Sequence, residues 1–328
     1  MATRRDVLAS AACLAAAPWA AMAQEAYPAR PVRMLVPYAP GGATDIVARM
    51  VGEEMRRVLG QPFMVENRPG AAGILAVETM ARARPDGYTL MVGNVTTNAI
   101  TPVLFQRRMS IDYEKEVVPV ARLADLPAFL LATTTNFPAR SLAEAIDYAR
   151  RNPGRVNYCS SGVGSYQQFD AVMLGRREGL DMTHVPMPGG AGPTITELLN
   201  GNLHLCFLNV ATAAGMVRDG RIRALAVASD ARLPDFPDLP TMAELGYPGI
   251  GTVAWQALFA PAETPRQVLL TLHRAAHEAL RAEPVREGFR RQGMRPMPET
   301  SLEQTRDWLR SELTLWRRTT EAAAIDLG

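Results

Sequence analysis

Histidine and cysteine are scarce in this chain, four and three among 328 residues. That leaves little from which to build an activated nucleophile, a paired acid and base, or a metal cluster. His273 and His277 stand one helical turn apart, a spacing that could clamp a metal. The residues between them are Arg274, Ala275 and Ala276, without the glutamate of a zincin, so a solvated helix face is expected and no metal. His204 falls in a predicted strand and His184 just ahead of Pro186, both structural positions. Neither a lysine-bearing phosphate loop nor a full Gly-x-Gly-x-x-Gly follows any strand, so nucleotide and other cofactors have no signal. Ser161-Gly162-Val163-Gly164-Ser165 puts the glycines inside the serines, the reverse of a hydrolase elbow. No catalytic residue is assigned. With 35 Lys+Arg against 33 Asp+Glu and no dense basic run, nucleic acid is excluded as a partner. No segment has the roughly 18 uninterrupted apolar residues that a membrane span needs.

The N-terminus carries its own signal. Arg4-Arg5 precede an apolar run from Val7 to Ala21 that closes with Ala21-Met22-Ala23, which reads as a cleavable export signal over residues 1–23 and a periplasmic destination. Thr3-Arg4-Arg5-Asp6-Val7-Leu8 resembles a twin-arginine signal, and the general secretory route stays open beside it. Cys13 does not make a lipoprotein, because Ser10 stands where a lipobox wants leucine. Removing 23 of 328 residues would leave 305, more than one core usually organises, so two lobes are expected. Cys159 and Cys206 could pair in an oxidising compartment, but both lie in apolar strand-like runs, where buried unpaired thiols are the expectation.

Short apolar runs alternate with amphipathic stretches, the pattern of an α/β protein with mainly parallel sheets. The predicted strands are Val32 to Val36, Thr89 to Val92, Phe129 to Ala132, Val156 to Cys159, Leu203 to Leu208, Ala224 to Val227 and Leu258 to Ala260. Ser141-Leu142-Ala143-Glu144 and Ser301-Leu302-Glu303-Gln304 predict capping boxes, and Thr264-Pro265 an N-cap followed by proline at the first helical position. From Phe105 to Pro127 and from Ser229 to Gly251 the chain is rich in proline, charge and polar turns. Both stretches read as passages between lobes. The expected organisation is one discontinuous lobe of residues 24–125 plus 229–328 and a second of 126–228, with a hinge suited to closing on a ligand.

Two loops have the chemistry of an anion cradle. Val32 to Val36 breaks into Pro37-Tyr38-Ala39-Pro40-Gly41-Gly42 and opens a helix, and Val156 to Cys159 runs into Ser160 to Ser165 ahead of another. Glycine lets the main chain approach a ligand, and a helix start offers unpaired N–H groups. Asp45 sits in the first turn of the first helix. It either complements the helix dipole or bonds neighbouring N–H groups or a water and so fixes the loop.

These residues carry a resemblance over nearly the whole mature chain. Tyr27-Pro28-x-Arg30-Pro31-Val32-Arg33, Val36-Pro37-Tyr38-Ala39-Pro40-Gly41-Gly42-x-x-Asp45, Glu66-Asn67-Arg68-Pro69-Gly70-Ala71-x-Gly73 and Pro85-Asp86-Gly87-Tyr88-Thr89-Leu90 come first. Ser161-Gly162-x-Gly164-Ser165, Val185-Pro186, Arg223 to Val227, Pro240-Thr241-x-x-Glu244-x-Gly246 and Ala260-Pro261-x-x-Thr264-Pro265 follow in family order. The sequence resembles the Bug-type solute-binding proteins of tripartite tricarboxylate transporters. The resemblance implies a class II periplasmic-binding-protein fold of two α/β lobes joined by two crossovers. It also implies a monomer that closes on a small carboxylate through main-chain donors and ordered water, without chemistry. By matching position the first cradle is Tyr38, Gly41, Gly42 and Asp45, and the second Ser161, Gly162 and Ser165. Thr96, Thr97 and Asn98 follow a third strand end, Asn209 is placed toward the cleft, and Gln168 and Gly189 complete the expected contacts.

The departures bear on the ligand. The family usually has histidine where Gln168 stands, often tyrosine with a basic or polar residue where Met187-Pro188 stand, aspartate where Leu208 stands, and commonly histidine where Asn98 stands. The far end of the pocket is thus expected to be less ionic, suiting one carboxylate on an apolar or aromatic body, with a polar dicarboxylate as the rival. The expected partner is a transporter's membrane subunits, with a membrane sensor as the alternative and an exported enzyme as a weaker one.

Overall fold

The computed structural model describes residues 27–187, 191–323 and 325. The export signal and Gly189 lie outside the described residues. The first sheet has six strands in the order β11-β4-β10-β3-β1-β2: β1 is Val32–Val36, β2 Phe63–Asn67, β3 Thr89–Asn94, β4 Val117–Leu126, β10 Ala254–Pro261 and β11 Arg295–Pro296. The second has five in the order β7-β6-β8-β5-β9: β5 is Ala128–Thr133, β6 Val156–Ser160, β7 Met182–Pro186, β8 Leu205–Asn209 and β9 Ile222–Ala228. Strands from both sides of the middle segment therefore build one sheet, and the middle segment builds the other. The helices used below are α1 (Ala43–Leu59), α2 (Ile74–Ala81), α3 (Leu142–Arg151), α4 (Tyr166–Glu178), α5 (Ala191–Asn200), α6 (Val210–Arg218), α7 (Arg266–Arg281), α8 (Glu283–Arg291) and α9 (Leu302–Ala323).

The two-lobed α/β architecture matches the expectation, but the sheets are mixed. Among the described residues four strand pairings are parallel and five antiparallel. The reason is the pair of crossings: β4 leaves the first sheet and β5 enters the second with only Pro127 between them, and β10 returns after the turns of 229–253. Strands that enter a sheet from such a crossing run against their neighbours.

The stretch read as a first passage, Phe105 to Pro127, contains β4, buried along nearly its whole length. Pro119 is tolerated because the β4–β10 ladder shifts register there, between Leu258 and Phe259. Ser141 and Ser301 do cap their helices, the hydroxyls accepting from Glu144 N at 3.2 Å and Gln304 N at 3.1 Å. Thr264 does not cap α7, which begins one residue later than expected, with Pro265 in the capping position. The helix bearing His273 and His277 is not solvated on that face either. Both rings are buried; His273 Nδ1 lies 2.7 Å from Val120 O and Nε2 2.6 Å from Thr300 O, packed between β4 and the segment after β11.

Separate apolar cores fill the two sheets' helix layers. The long α9 ties the lobes together. It packs on β4, stacks Trp316 edge-on against Phe169 of α4 at 5.5 Å, and accepts at Ala322 O a bond from Arg176 at 2.6 Å.

Candidate functional site

β1 ends against the sheet's middle and the chain turns through Gly41, whose φ of 87° is open to glycine and strained for other residues. Gly42 then caps α1 with extended backbone and accepts from Ile46 N at 3.0 Å. The first-turn N–H groups of Ala43, Thr44 and Asp45 have no acceptor within the helix. Asp45, 3% exposed, turns back over the loop. Its carboxylate accepts from Gly41 N at 3.0 Å, from Arg49 Nε at 2.9 Å and from Asn67 Nδ2 at 2.9 Å. The same Asn67 amide reaches Tyr38 O at 3.0 Å. Burial alone would raise the Asp45 pKa, but these bonds outweigh it and hold the carboxyl below its ordinary value. Of the two readings of Asp45, the bonding one describes its contacts: it fixes the loop.

The second loop is built alike. β6 delivers Ser160, whose hydroxyl donates to Gly162 O at 2.9 Å, accepts from Gly162 N at 3.2 Å and lies 2.7 Å from His184 Nε2. Ser165 caps α4 in extended backbone and donates its own hydroxyl to Gly162 O at 2.8 Å. Gln168 accepts from Gly164 N at 2.7 Å, with its amide nitrogen 3.3 Å from His184 Nδ1. His184 stacks on Tyr158 at 5.0 Å, and burial lowers its pKa, favouring the neutral ring. Ser161, at the rim, donates to Gln167 at 3.1 Å.

At the third strand end, Asn94 receives the Tyr38 hydroxyl at 3.0 Å and Thr97 N at 3.1 Å on the same amide oxygen. Burial pushes the Tyr38 hydroxyl up to about 12, so it stays a neutral donor. Thr97 and Asn98 are wholly buried and turn into the lobe: Thr97 donates to Asn98 Oδ1 at 2.6 Å and Asn98 to Tyr113 at 3.0 Å. Of the three, Thr96 stays beside the Tyr38 hydroxyl. Asn209, last residue of β8 and cap of α6, receives the Tyr166 hydroxyl at 2.8 Å.

The two loops come together where the lobes meet. A Cβ on Gly164 would lie 2.8 Å from Leu104 and 3.0 Å from Phe105 of the other lobe. Burial, then the nearby Asp170, Cys206 and Tyr38 of the other lobe, keep Tyr166 protonated. The cations beside the first loop are engaged: Arg33 and Arg68 share Glu66 at 2.8 and 2.6 Å, and Arg49 holds Asp45. Sequence reading passed over Asn67, Asn94, Ser160, Tyr166 and His184. Asn67 and Tyr166 had a signal, since each adjoins a glycine motif at a strand end; Asn94 and His184 had none.

A sequence profile described as the tripartite tricarboxylate transporter family receptor matches residues 47–324. The chain belongs to this family. Protein BugT of Bordetella pertussis is 34% identical over 299 residues, 90% of each chain. MatC from Rhodopseudomonas palustris, solved with bound malate, is 34% identical with a TM-score of 0.81, covering 89% of this chain and 99% of its own. Rpa4515 of R. palustris, solved with adipate, is 30% identical with a TM-score of 0.84, covering 91% and 99%. The receptor thus shares its fold with periplasmic solute-binding proteins. Among the described residues no helix is long and apolar enough to cross a membrane, and no group of three metal-ligating side chains is found.

Proposed function

We propose that this receptor works outside the cytoplasm, capturing a small organic carboxylate between its lobes and releasing it unchanged to the membrane subunits of a tripartite transporter. The observation that carries the reading is the pairing of two glycine-flanked helix starts, those of α1 and α4, one from each lobe and coming together where the lobes meet. The N–H groups of Gly41, Gly162, Gly164 and Ser165 hold the loops themselves, and the first-turn N–H groups of the two helices are the donors offered to an anion. The malate and adipate bound by MatC and Rpa4515 support the same ligand class.

A cradle without arginine is strong enough. Four charge-assisted bonds contribute roughly 6 to 12 kcal/mol against an association cost of about 4 or more, an affinity of roughly millimolar to micromolar before closure and apolar contacts. Tyr38, Gly41, Gly42, Thr96, Ser161, Gly162, Ser165 and Asn209 form the proposed lining, with Asp45 and Gln168 holding the loops. Leu208, where the family has aspartate, is buried among apolar side chains, which supports a less ionic far end and a ligand with an apolar or aromatic body.

A thermal-shift screen against aromatic monocarboxylates, aliphatic dicarboxylates, citrate and their amides tests this, with chromatography following each compound. Stabilisation by an acid recovered unchanged is expected. Consumption of the compound, or stabilisation by amides alone, overturns the receptor reading. Equal or tighter binding of succinate or malate overturns the apolar-body assignment. Capture of a sensor rather than transporter subunits by the liganded protein would replace the transporter partner.

A further inference from the structure

Gln256 carries an acceptor without a donor. It lies on β10, 1% exposed, and its side-chain oxygen Oε1 is enclosed with no hydrogen-bond partner. A buried amide oxygen left in this state is costly, a cost that a bound donor would relieve.

Register puts Gln256 beside the first loop's network. Gln256 is directly opposite Asn94 in the antiparallel β3–β10 pairing, and opposed residues project from the same face of a sheet. Asn94 is the residue that receives the Tyr38 hydroxyl of the first loop. On its other side Gln256 pairs with Ala124, close ahead of Pro127, whose carbonyl accepts from Val210 N at 2.9 Å beside Asn209. Gln256 therefore lies between the first loop of one lobe and the Asn209 corner of the other.

The neighbouring side-chain amide oxygens are all engaged. Asn94 receives Tyr38 and Thr97, Asn209 receives Tyr166, and Gln168 receives Gly164 N. Oε1 of Gln256 stands apart from these as the uncommitted one. A carboxylate has no hydrogen to give it, whereas a hydroxyl or ammonium on the carbon next to a carboxylate does.

We propose that Gln256 is a specificity-determining residue that selects acids bearing a hydroxyl or amino group beside the carboxylate. This rests on the carboxylate-receptor reading above. The test is calorimetry of wild type and Gln256→Met, which keeps the side chain's length, with malate and aspartate against succinate and with mandelate against phenylacetate. Wild type is expected to prefer a substituted acid by about tenfold or more, as sites built to bond a hydroxyl do. In Gln256→Met that ratio should fall to about one, with the unsubstituted acid changed by less than about twofold. A ratio that survives in the variant, or wild type binding the unsubstituted acids as tightly, overturns the proposal while leaving the receptor reading intact. Failure of all five acids to bind wild type overturns the receptor reading and this proposal with it. Absence of the ratio in wild type overturns the proposal even if the variant does not fold.

Discussion

Asp45 and Gln168 hold equivalent places in the two lobes: each reaches back from the first turn of its helix to the N–H of a glycine four residues earlier, Gly41 at 3.0 Å and Gly164 at 2.7 Å. Both glycines have positive φ, 87° and 79°. The shared device fixes the bend between strand and helix, and in the second loop Ser165 N adds a bond to Gly162 O at 3.2 Å. One lobe uses a carboxylate and the other a carboxamide, and that difference separates the first two expectations.

Replacing Asp45 with alanine removes the acceptor for Gly41 N, Arg49 and Asn67 together. Loss of a buried, multiply bonded carboxylate should cost about 2–4 kcal/mol and weaken every acid ligand alike, because the loop and not a contact is lost. The Asp45 carboxyl is held below its ordinary value of 3.8, so its contribution is present above that pH and disappears as pH falls through the lower folded value. Denaturant titrations at pH 7 and pH 3 check this: the gap between wild type and Asp45→Ala should shrink at the acid end.

Gln168→Glu keeps the acceptor for Gly164 N and adds a negative charge beside the second loop. The fold should survive with a change of about 1 kcal/mol or less, while carboxylate affinity drops by about tenfold through like-charge repulsion. Gln168→Leu should do the opposite, loosening the loop without repelling the ligand. Calorimetry of both variants at two salt concentrations separates the cases, since only the glutamate's effect should weaken with added salt.

β1, β3, β5, β6, β8 and β10 were legible because each is a short run of mainly apolar residues closed by a proline or by a hydroxyl or amide residue. β2 and β7 were not: they close the ends of their sheets, are only partly buried, and so carry polar residues that break the run. β4 was hidden by Pro119, Arg122 and Asp125, three residues that normally end strands. Two register shifts and an ion pair at 3.1 Å accommodate them here. The glycine loops could be read as cradles from their composition, but which side chain faces the cleft could not. The turn after β3 places Asn98 in the interior, a direction that depends on backbone winding of 96–100 and leaves no mark in residue type. His273 and His277 misled for the converse reason, since a helix covered on two sides looks amphipathic until its second neighbour is known.

Cys159 and Cys206 are register partners on β6 and β8, both buried and both free thiols. Burial, followed by the neighbouring Cys159, pushes the Cys206 thiol well up, so neither a thiolate nor solvent access favours reaction. A chain beginning at Gln24 should leave iodoacetamide unreacted when native and take up two labels per chain in denaturant, counted by mass spectrometry. Rapid labelling of the native protein, or no labelling of the unfolded one, would contradict the buried free-thiol state.

Asp170 anchors the return crossing. From α4 its carboxylate accepts from Gly251 N at 3.3 Å, Thr252 N at 2.9 Å and the Thr252 hydroxyl at 2.9 Å, the residues that lead into β10 and Gln256. Burial raises its pKa from 3.8 to about 6 despite these bonds. The native state therefore holds the proton more tightly than the unfolded chain does, and the native state binds more protons throughout that window. Stability from this group is fully present below pH 3.8 and is lost as pH rises through about 6, by up to about 3 kcal/mol. Asp170→Asn cannot titrate, so its stability relative to wild type should rise by about 2 kcal/mol between pH 4 and 6.5, over a constant offset from the amide's mismatch with three donors. Chemical denaturation of both proteins across this range gives the answer, and parallel curves would remove Asp170 as the titrating group. Because α4 also carries Tyr166 and Gln168, the same proton should alter ligand affinity: loosening the crossing in Asp170→Ala should speed ligand release more than it slows capture, measured by stopped-flow fluorescence of Trp316, which α9 packs against Phe169 of α4.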